Sequence, residues 1–300
     1  MKILFVSEQA DSPIVHAMEE LGHEVTVVPE WLAAPVALGK DFLLFTDWND
    51  WTLLATIDIP KVFWRFGYVE HSQDHALAER SVERLNWMVK ALTLCDLGFS
   101  TDGDWCMRHP EKLIWLCAAA DGRVLGPGVI EAASHKQDGI LFFGSKSGHG
   151  FKRWSFVTEM KLVYGPKFTH LQPLPRRGRD LAHIIAGHAI VVAPDGPVTM
   201  GYWSDRAYIT CGFGGFLVHP LCNLGFHYHG AGRDSLGEAA FYKDREGLHN
   251  AIRFYLAHPE DRRLVAERAY LRTTKEHTYL HRCTTLIKRV EERVLKKCGG

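Results

Sequence analysis

The feature that most constrains this chain is a short apolar run followed by a helical pattern, repeated along the sequence in two cycles. Ile3 to Val6 is continuously apolar; a polar loop follows, and then Ile14, Val15, Met18 and Leu21 recur at helical spacing before Gly22. "HEVTVVP" comes next, so the chain opens strand, helix, strand. Further apolar runs stand at 41–47, 59–66, 94–101 and 112–118, with a long helical pattern over about 74–92. Strands this short and this apolar belong in a parallel sheet covered on both faces. "GILFFGSKSGHG" starts the second cycle, which continues through "SFVTEMKLVYG", "FTHLQPL", "GRDLAHIIAGH", "AIVVAPDG", "SDRAYITCGFG" and "GFLVHP" to a largely helical tail from about 246.

The pattern predicts an α/β chain of two Rossmann-like, doubly wound domains. Residues 1–120 form the N-terminal domain and 121–138, rich in Ala, Gly and Pro, the linker region. Residues 139–275 form the C-terminal domain, and 276–300 a helix that braces the first. Three hundred residues suffice for two cores of about 150 residues each. Ligands of such sheets bind at the carboxyl ends of strands, so the expected site is a cleft that the two domains face.

Equal numbers of basic and acidic residues, 35 of each, argue against recruitment of nucleic acid by bulk charge. The seven cysteines form no C-x-x-C pair and are odd in number, which fits neither a zinc site nor a disulfide framework. The apolar start is too short for a signal-peptide core, and no apolar run approaches membrane-spanning length. A cytoplasmic protein without a membrane span is expected.

Two segments carry candidate chemistry. After "ILFFG", the loop Gly144-Ser145-Lys146-Ser147-Gly148-His149-Gly150, followed by Lys152 and Arg153, offers backbone amides, a helix N-terminus and cations to an anion, although it fits neither a Walker A loop nor G-x-G-x-x-G. In "GYWSDRAYITCGFGGFLVHP", Ser204 or Asp205 is placed to cap a helix whose first turn holds Arg206. A cation at that end of a helix requires an anion. Asp205, Asp195 and a ligand phosphate all qualify.

Other polar clusters have plainer readings. "STDGDW" puts Asp102 and Asp104, and "EHSQDH" puts Glu70, His71, Asp74 and His75, at inferred strand ends. There a carboxylate or imidazole can take a proton, and turn-forming Asp or surface His is the ordinary alternative. His219, Cys222, His227 and His229 show no recognisable ligand spacing, so no metal site is expected. The tail after 262 reads as a scaffold helix with charged faces.

From "CDLGFSTDGDW" through "KLIWLCAAAD", "ILFFGS" and "MKLVYG" to "GYWSDRAYITCGFGGFLV", "GEAAFYKD" and "KEHTYLHR", the order and spacing resemble a GT-B glycosyltransferase. More narrowly, the chain is similar to the group-1 family of spore-maturation-type proteins. Residues 94–285 carry the resemblance; its most specific pieces are Ser204, Arg206, Tyr208, Gly214 and Gly215, with the distal His277-Thr278-Tyr279 and Arg282.

The resemblance implies that the C-terminal domain binds a nucleotide-sugar donor, such as a UDP-sugar carrying glucose or another hexose, and that the N-terminal domain binds a hydroxyl acceptor. The acceptor classes open are a small molecule, a glycan, a protein and modified DNA. Arg206 would contact the donor diphosphate, with Gly144, Ser145 and Lys146 by its phosphates. Tyr202, Ser204, Tyr208, Gly214, Gly215 and Glu238 complete the donor side, and Asp102 and His71 are the acceptor-side candidates for proton transfer. No cofactor and no metal are implied, because arginine can stabilise the departing diphosphate.

Where many relatives carry a pair of glutamates, this chain has Ile209 and Gly201. That departure raises the alternative of a degenerate protein that binds a nucleotide or partner without turnover. A further alternative is a transferase acting on hydroxymethylated bases of DNA, using a local basic strip of Lys152, Arg153, Arg176, Arg177 and Arg179.

Overall fold

The computed structural model describes residues 1–8, 11–67, 78–125, 137–144, 150–173, 178–194, 202–221, 227–230 and 237–296. The chain divides into two compact units. The first comprises 1–118, 199–202 and 279–300, and the second 119–198 and 203–278.

The sheet of the first unit contains β1 (Lys2–Val6), β2 (Glu24–Val28), β3 (Phe42–Phe45), β4 (Lys61–Arg65), β5 (Leu97–Ser100) and β6 (Leu113–Trp115). They lie in the order β2-β1-β3-β4-β5-β6, with every pairing parallel. All four residues of β3 and all four of β5 are buried, as strands covered on both faces require. Helix starts follow their sequence signals. Ser12 Oγ accepts the Ile14 amide ahead of Pro13, and Asp50 accepts the Leu53 amide at the head of Trp51–Thr56. Helix Tyr279–Val290 lies on helix Pro13–Glu20, where Cys283 Sγ reaches Ile14 O at 3.8 Å. Its Arg282 donates from Nε to Cys117 O at 3.3 Å.

The sheet of the second unit contains β7 (Gln137–Phe143), β8 (Phe168–Leu171), β9 (His188–Val192), β10 (Leu217–Pro220) and β11 (Ala240–Tyr242), in the order β11-β10-β9-β7-β8, again all parallel. In both units the first strand is flanked by the second and the third, so the winding direction reverses there. Such a reversal opens a crevice at the carboxyl ends of the strands. Ile140, Phe142, Ile190, Val192, Phe216 and Val218 pack one face of this sheet, and Leu141, Phe143, Val191 and Ile185 the other.

Several expectations shift. The 112–118 run is a strand only over Leu113–Trp115; Leu116 to Ala120 continue as buried, irregular chain. β11, three residues within "GEAAFYKD", was not expected as a strand, being too short to show a period. The helical tail resolves into Arg245–Ala257, Pro259–Glu276 and Tyr279–Val290.

Candidate functional site

The carboxyl edge of the second sheet gathers the polar side chains of greatest interest. β7 ends at Phe143, and Gly144 follows with φ of 135°, a conformation that favours glycine. A Cβ at Gly144 would stand 2.6 Å from an Nη atom of Arg206, so this glycine is what lets the guanidinium lie against the strand end. Arg206 opens helix Arg206–Gly212 and is only 6% exposed. Its Nε donates to Phe143 O at 2.9 Å, and its Cζ lies 5.0 Å from the Phe142 ring centroid and 5.3 Å from that of Phe143. The Phe143 carbonyl and the two phenyl rings help to fix where this charge sits.

Three further side chains stand at the same strand ends. His170, on β8, donates from Nε2 to Gly144 O at 3.0 Å and stacks on Phe142. Arg153 lies buried, its Cζ 5.9 Å from the same Phe142 ring. His219, on β10, is buried and donates from Nδ1 to Pro220 O. Burial pushes its imidazole down to about 4, the backbone carbonyl opposes that shift, and the positive charge of Arg206 adds to it.

The N-terminus of the Arg206 helix separates the two cap candidates. Asp205 occupies the cap position in a helical conformation and makes no side-chain cap bond. Ser204 Oγ instead accepts the Arg206 amide at 3.3 Å and donates to Asp205 Oδ1 at 3.2 Å.

The other donor-side residues separate. Tyr208 is fully buried; its hydroxyl accepts from Trp203 Nε1 at 2.9 Å and donates to His227 Nδ1 at 2.9 Å. The His227 ring stacks on His277 at 4.6 Å. Gly214 (φ 67°) and Gly215 turn the chain after the helix, with amides bonded to Cys211 O and Thr210 O. A Cβ at Gly215 would stand 2.6 Å from Ile185 Cγ2. These two glycines precede β10 and so stand at the opposite edge from Arg206, across a helix of seven residues, about 10 Å long. Glu238, two residues ahead of β11, accepts the His229 amide at 2.9 Å, and its charge adds to the burial that raises the Cys211 thiol at that far helix end. The structure does not bring Gly214, Gly215 and Glu238 to Arg206.

Ile209, where a family glutamate would stand, packs with the apolar cluster of Leu141, Phe143 and Val191. Tyr202 falls in the first unit. So does Asp102, at the end of β5, whose buried carboxylate accepts the Trp105 amide at 3.3 Å and caps helix Gly103–Arg108. His71, Ser145 and Lys146 lie outside the described residues, as do Gly201, Glu70, Asp74, His75, Arg176, Arg177 and Cys222. Arg153 is buried, so it is not part of an exposed basic strip. His229 is exposed, and among the described residues no three His, Cys, Asp or Glu side chains gather as a metal site. No described helix is long and apolar enough to cross a membrane.

The residues that sequence reasoning left out of the site are His170 and His219; Arg153 was expected there only as a cation following the glycine-rich loop. Their available signal was position: His170 and His219 stand in the last turns of apolar strand runs, "FTHL" and "LVHP".

Residues 128–288, just over half of the chain, match the model of the family described as glycosyl transferase-like. No curated protein matches the sequence. Similar solved structures include Anabaena HepE in complex with UDP-glucose, with a TM-score of 0.60 at 11% identity over 97% of this chain and 100% of that one. A glycosyltransferase from Rickettsia africae superposes with a TM-score of 0.57 at 9% identity, covering 98% of each chain. An α1,3-fucosyltransferase gives 0.58 at 9% identity over 98% of this chain and 90% of its own. At such identities the structural likeness establishes the fold, two Rossmann-like units of the GT-B type. The family match establishes the rest: this chain belongs to the glycosyl transferase-like family.

Proposed function

We propose that the chain transfers a hexose from a nucleoside-diphosphate donor, a UDP-sugar such as UDP-glucose, to a hydroxyl acceptor. The observation that carries this reading is Arg206, a buried guanidinium held at the carboxyl edge of the second sheet by Phe143 O and seated against Gly144. In transfer, the bond from the anomeric carbon to the β-phosphate oxygen breaks and its electron pair leaves with the diphosphate. The acceptor oxygen forms the new bond and loses its proton. Arg206 offsets the charge that grows on the leaving diphosphate, and Ser145 and Lys146 serve the same phosphates. This arrangement needs no metal for that task.

Tyr208 and Ser204 help to seat the Arg206 helix, Tyr208 through Trp203 and His227 and Ser204 through the Arg206 amide, while Gly214, Gly215 and Glu238 act at the far helix end, the glycines through the turn and Glu238 through the His229 amide. His71 and Asp102 are the protein bases to be tested for an inverting outcome; in a retaining one the departing phosphate takes the proton. Cytoplasmic residence suits the free, buried cysteines Cys95, Cys106, Cys117, Cys211 and Cys283.

A thermal-shift screen across UDP-, GDP-, ADP-, CDP- and dTDP-sugars, followed by chromatography of donor breakdown, tests the reading. One nucleotide series should stabilise the protein, and breakdown should disappear in Arg206→Ala. The apolar packing of Ile209 favours a second reading, in which the donor is bound and never consumed. Turnover with any acceptor removes that second reading, and absence of binding across the screen removes both.

A further inference from the structure

The first unit carries a second candidate site that the donor chemistry does not use. At the carboxyl ends of β3 and β4 an open cavity of about 630 Å³ is lined by side chains that include Asp47, Asn49, Trp51, Arg65, Asn86 and Lys90. That volume falls within the range of small-ligand sites, roughly 300 to 1,000 Å³.

Its floor is rigid. Trp48 is fully buried and spends its Nε1–H on Asp50 O at 2.6 Å; Trp87 spends its own on Trp48 O at 3.0 Å. Trp51 meets Trp87 edge to face with centroids 5.5 Å apart. Arg65 lies with its Cζ 4.4 Å over Trp87 and is tied to Asp47 Oδ1 at 3.0 Å. The Trp51 indole N–H, the Asn86 amide and the Glu83 carboxylate, by contrast, make no hydrogen bond among the described residues, and the Lys90 ammonium only overhangs Trp51 at 5.9 Å.

The chemistry of this lining selects among ligand classes. Charges of both signs, with Arg65, Arg84 and Lys90 beside Asp47 and Glu83, do not favour a polyanion. The many polar side chains around the cavity do not favour an acyl chain. A pyranose has an apolar C–H face that fits a half-buried indole, and a girdle of hydroxyls that both donate and accept. Carboxylates, amides and guanidinium side chains supply both the acceptors and the donors that such hydroxyls need.

We propose that this cavity binds a saccharide, with the sugar face against Trp51 and its hydroxyls on Asp47, Arg65, Asn86 and Lys90. Naming it the acceptor rests on the transferase reading above; the binding itself does not. The acceptor is then a carbohydrate hydroxyl rather than one on a protein side chain, a lipid or a nucleobase.

The full chain, fluorescently labelled, is applied to an array displaying pyranosides of glucose, galactose, mannose, the N-acetylhexosamines, rhamnose, fucose, and uronic and sialic acids. The wild type should bind at least one of these classes. Exposed Asn86→Ala should weaken that binding about 2- to 10-fold, the worth of one hydrogen bond. Trp51→Ala should abolish both the binding and the fluorescence change that the free sugar causes. Arg206→Ala should bind the same sugars as the wild type. No bound sugar, or binding unchanged in both Asn86→Ala and Trp51→Ala, overturns the proposal. Sugar binding without donor binding would leave it standing while removing the transferase reading, so the two failures are distinguishable.

Discussion

Arg206 and Arg65 stand at the same kind of place, the carboxyl end of a parallel sheet, and both lie over aromatic rings, yet they are held in different ways. Arg206 is buried, fixed by the carbonyl of Phe143, and admitted by a glycine with positive φ. Arg65 is tied to the carboxylate of Asp47, whose side chain is 69% exposed, on the wall of an open polar cavity. Phe143 O orients the Arg206 guanidinium at a buried strand end, whereas Asp47 orients that of Arg65 on an open, polar wall. A guanidinium held at a strand end is placed to meet a multiply charged anion, and a wall of mixed charges and amides suits a neutral, hydroxyl-rich ligand.

The comparison can be broken by substitution. Arg206→Ala should lower transfer by about 10²- to 10³-fold, or roughly 3–4 kcal/mol, as for loss of one charge-stabilising donor. Arg65→Ala should leave UDP affinity unchanged. Equal losses of UDP binding in the two variants would erase the distinction.

Acid should discriminate next. The folded-state value of His219, about 4, lies below its ordinary 6.5, so the unfolded chain takes up the proton first as pH falls. Stability is therefore unaffected above about 6.5, declines between 6.5 and 4, and levels off below that, for a loss on the order of 3 kcal/mol. Urea unfolding at pH 7 and pH 4.5 should show this decline, and His219→Asn should flatten it.

Gly144→Ala should displace Arg206 and strain the backbone, costing about 2 kcal/mol in stability and weakening UDP binding. Denaturant midpoints and UDP titration measure both. Asp47→Asn sits at the low end: the partly exposed Arg65 pair should contribute less than about 1 kcal/mol to stability, seen as a nearly unmoved urea midpoint.

The parts of the molecule that were readable in advance are those with a local physical signature. Runs such as Phe42–Phe45 and Ile190–Val192 announce buried parallel strands because nothing polar interrupts them. Arg206 was legible as the cation that opens a helix, whereas its seat on Phe143 O was not, because Phe143 lies 63 residues earlier. Gly214 and Gly215 were legible as a motif, but their need for glycine comes from a turn at the other sheet edge. His170 was not legible, and Arg153 was legible only as a cation after the loop, since both meet Phe142 only when β8 and helix Gly150–Tyr164 pack beside β7. The tryptophan cavity was hidden for the same reason: Trp48 and Trp51 lie far in sequence from Trp87, and only the packing of two helices unites them.

The central claim is that the Arg206 edge binds a nucleoside diphosphate. Isothermal titration of UDP, GDP, ADP, CDP and dTDP into the wild type and into folded Arg206→Ala tests it most directly. One of these nucleotides should bind the wild type, and the variant should bind it at least about 10-fold more weakly, the loss expected for a hydrogen bond to a charged group. Equal affinity in the two proteins, or no binding of any of the five to the wild type, would contradict the account.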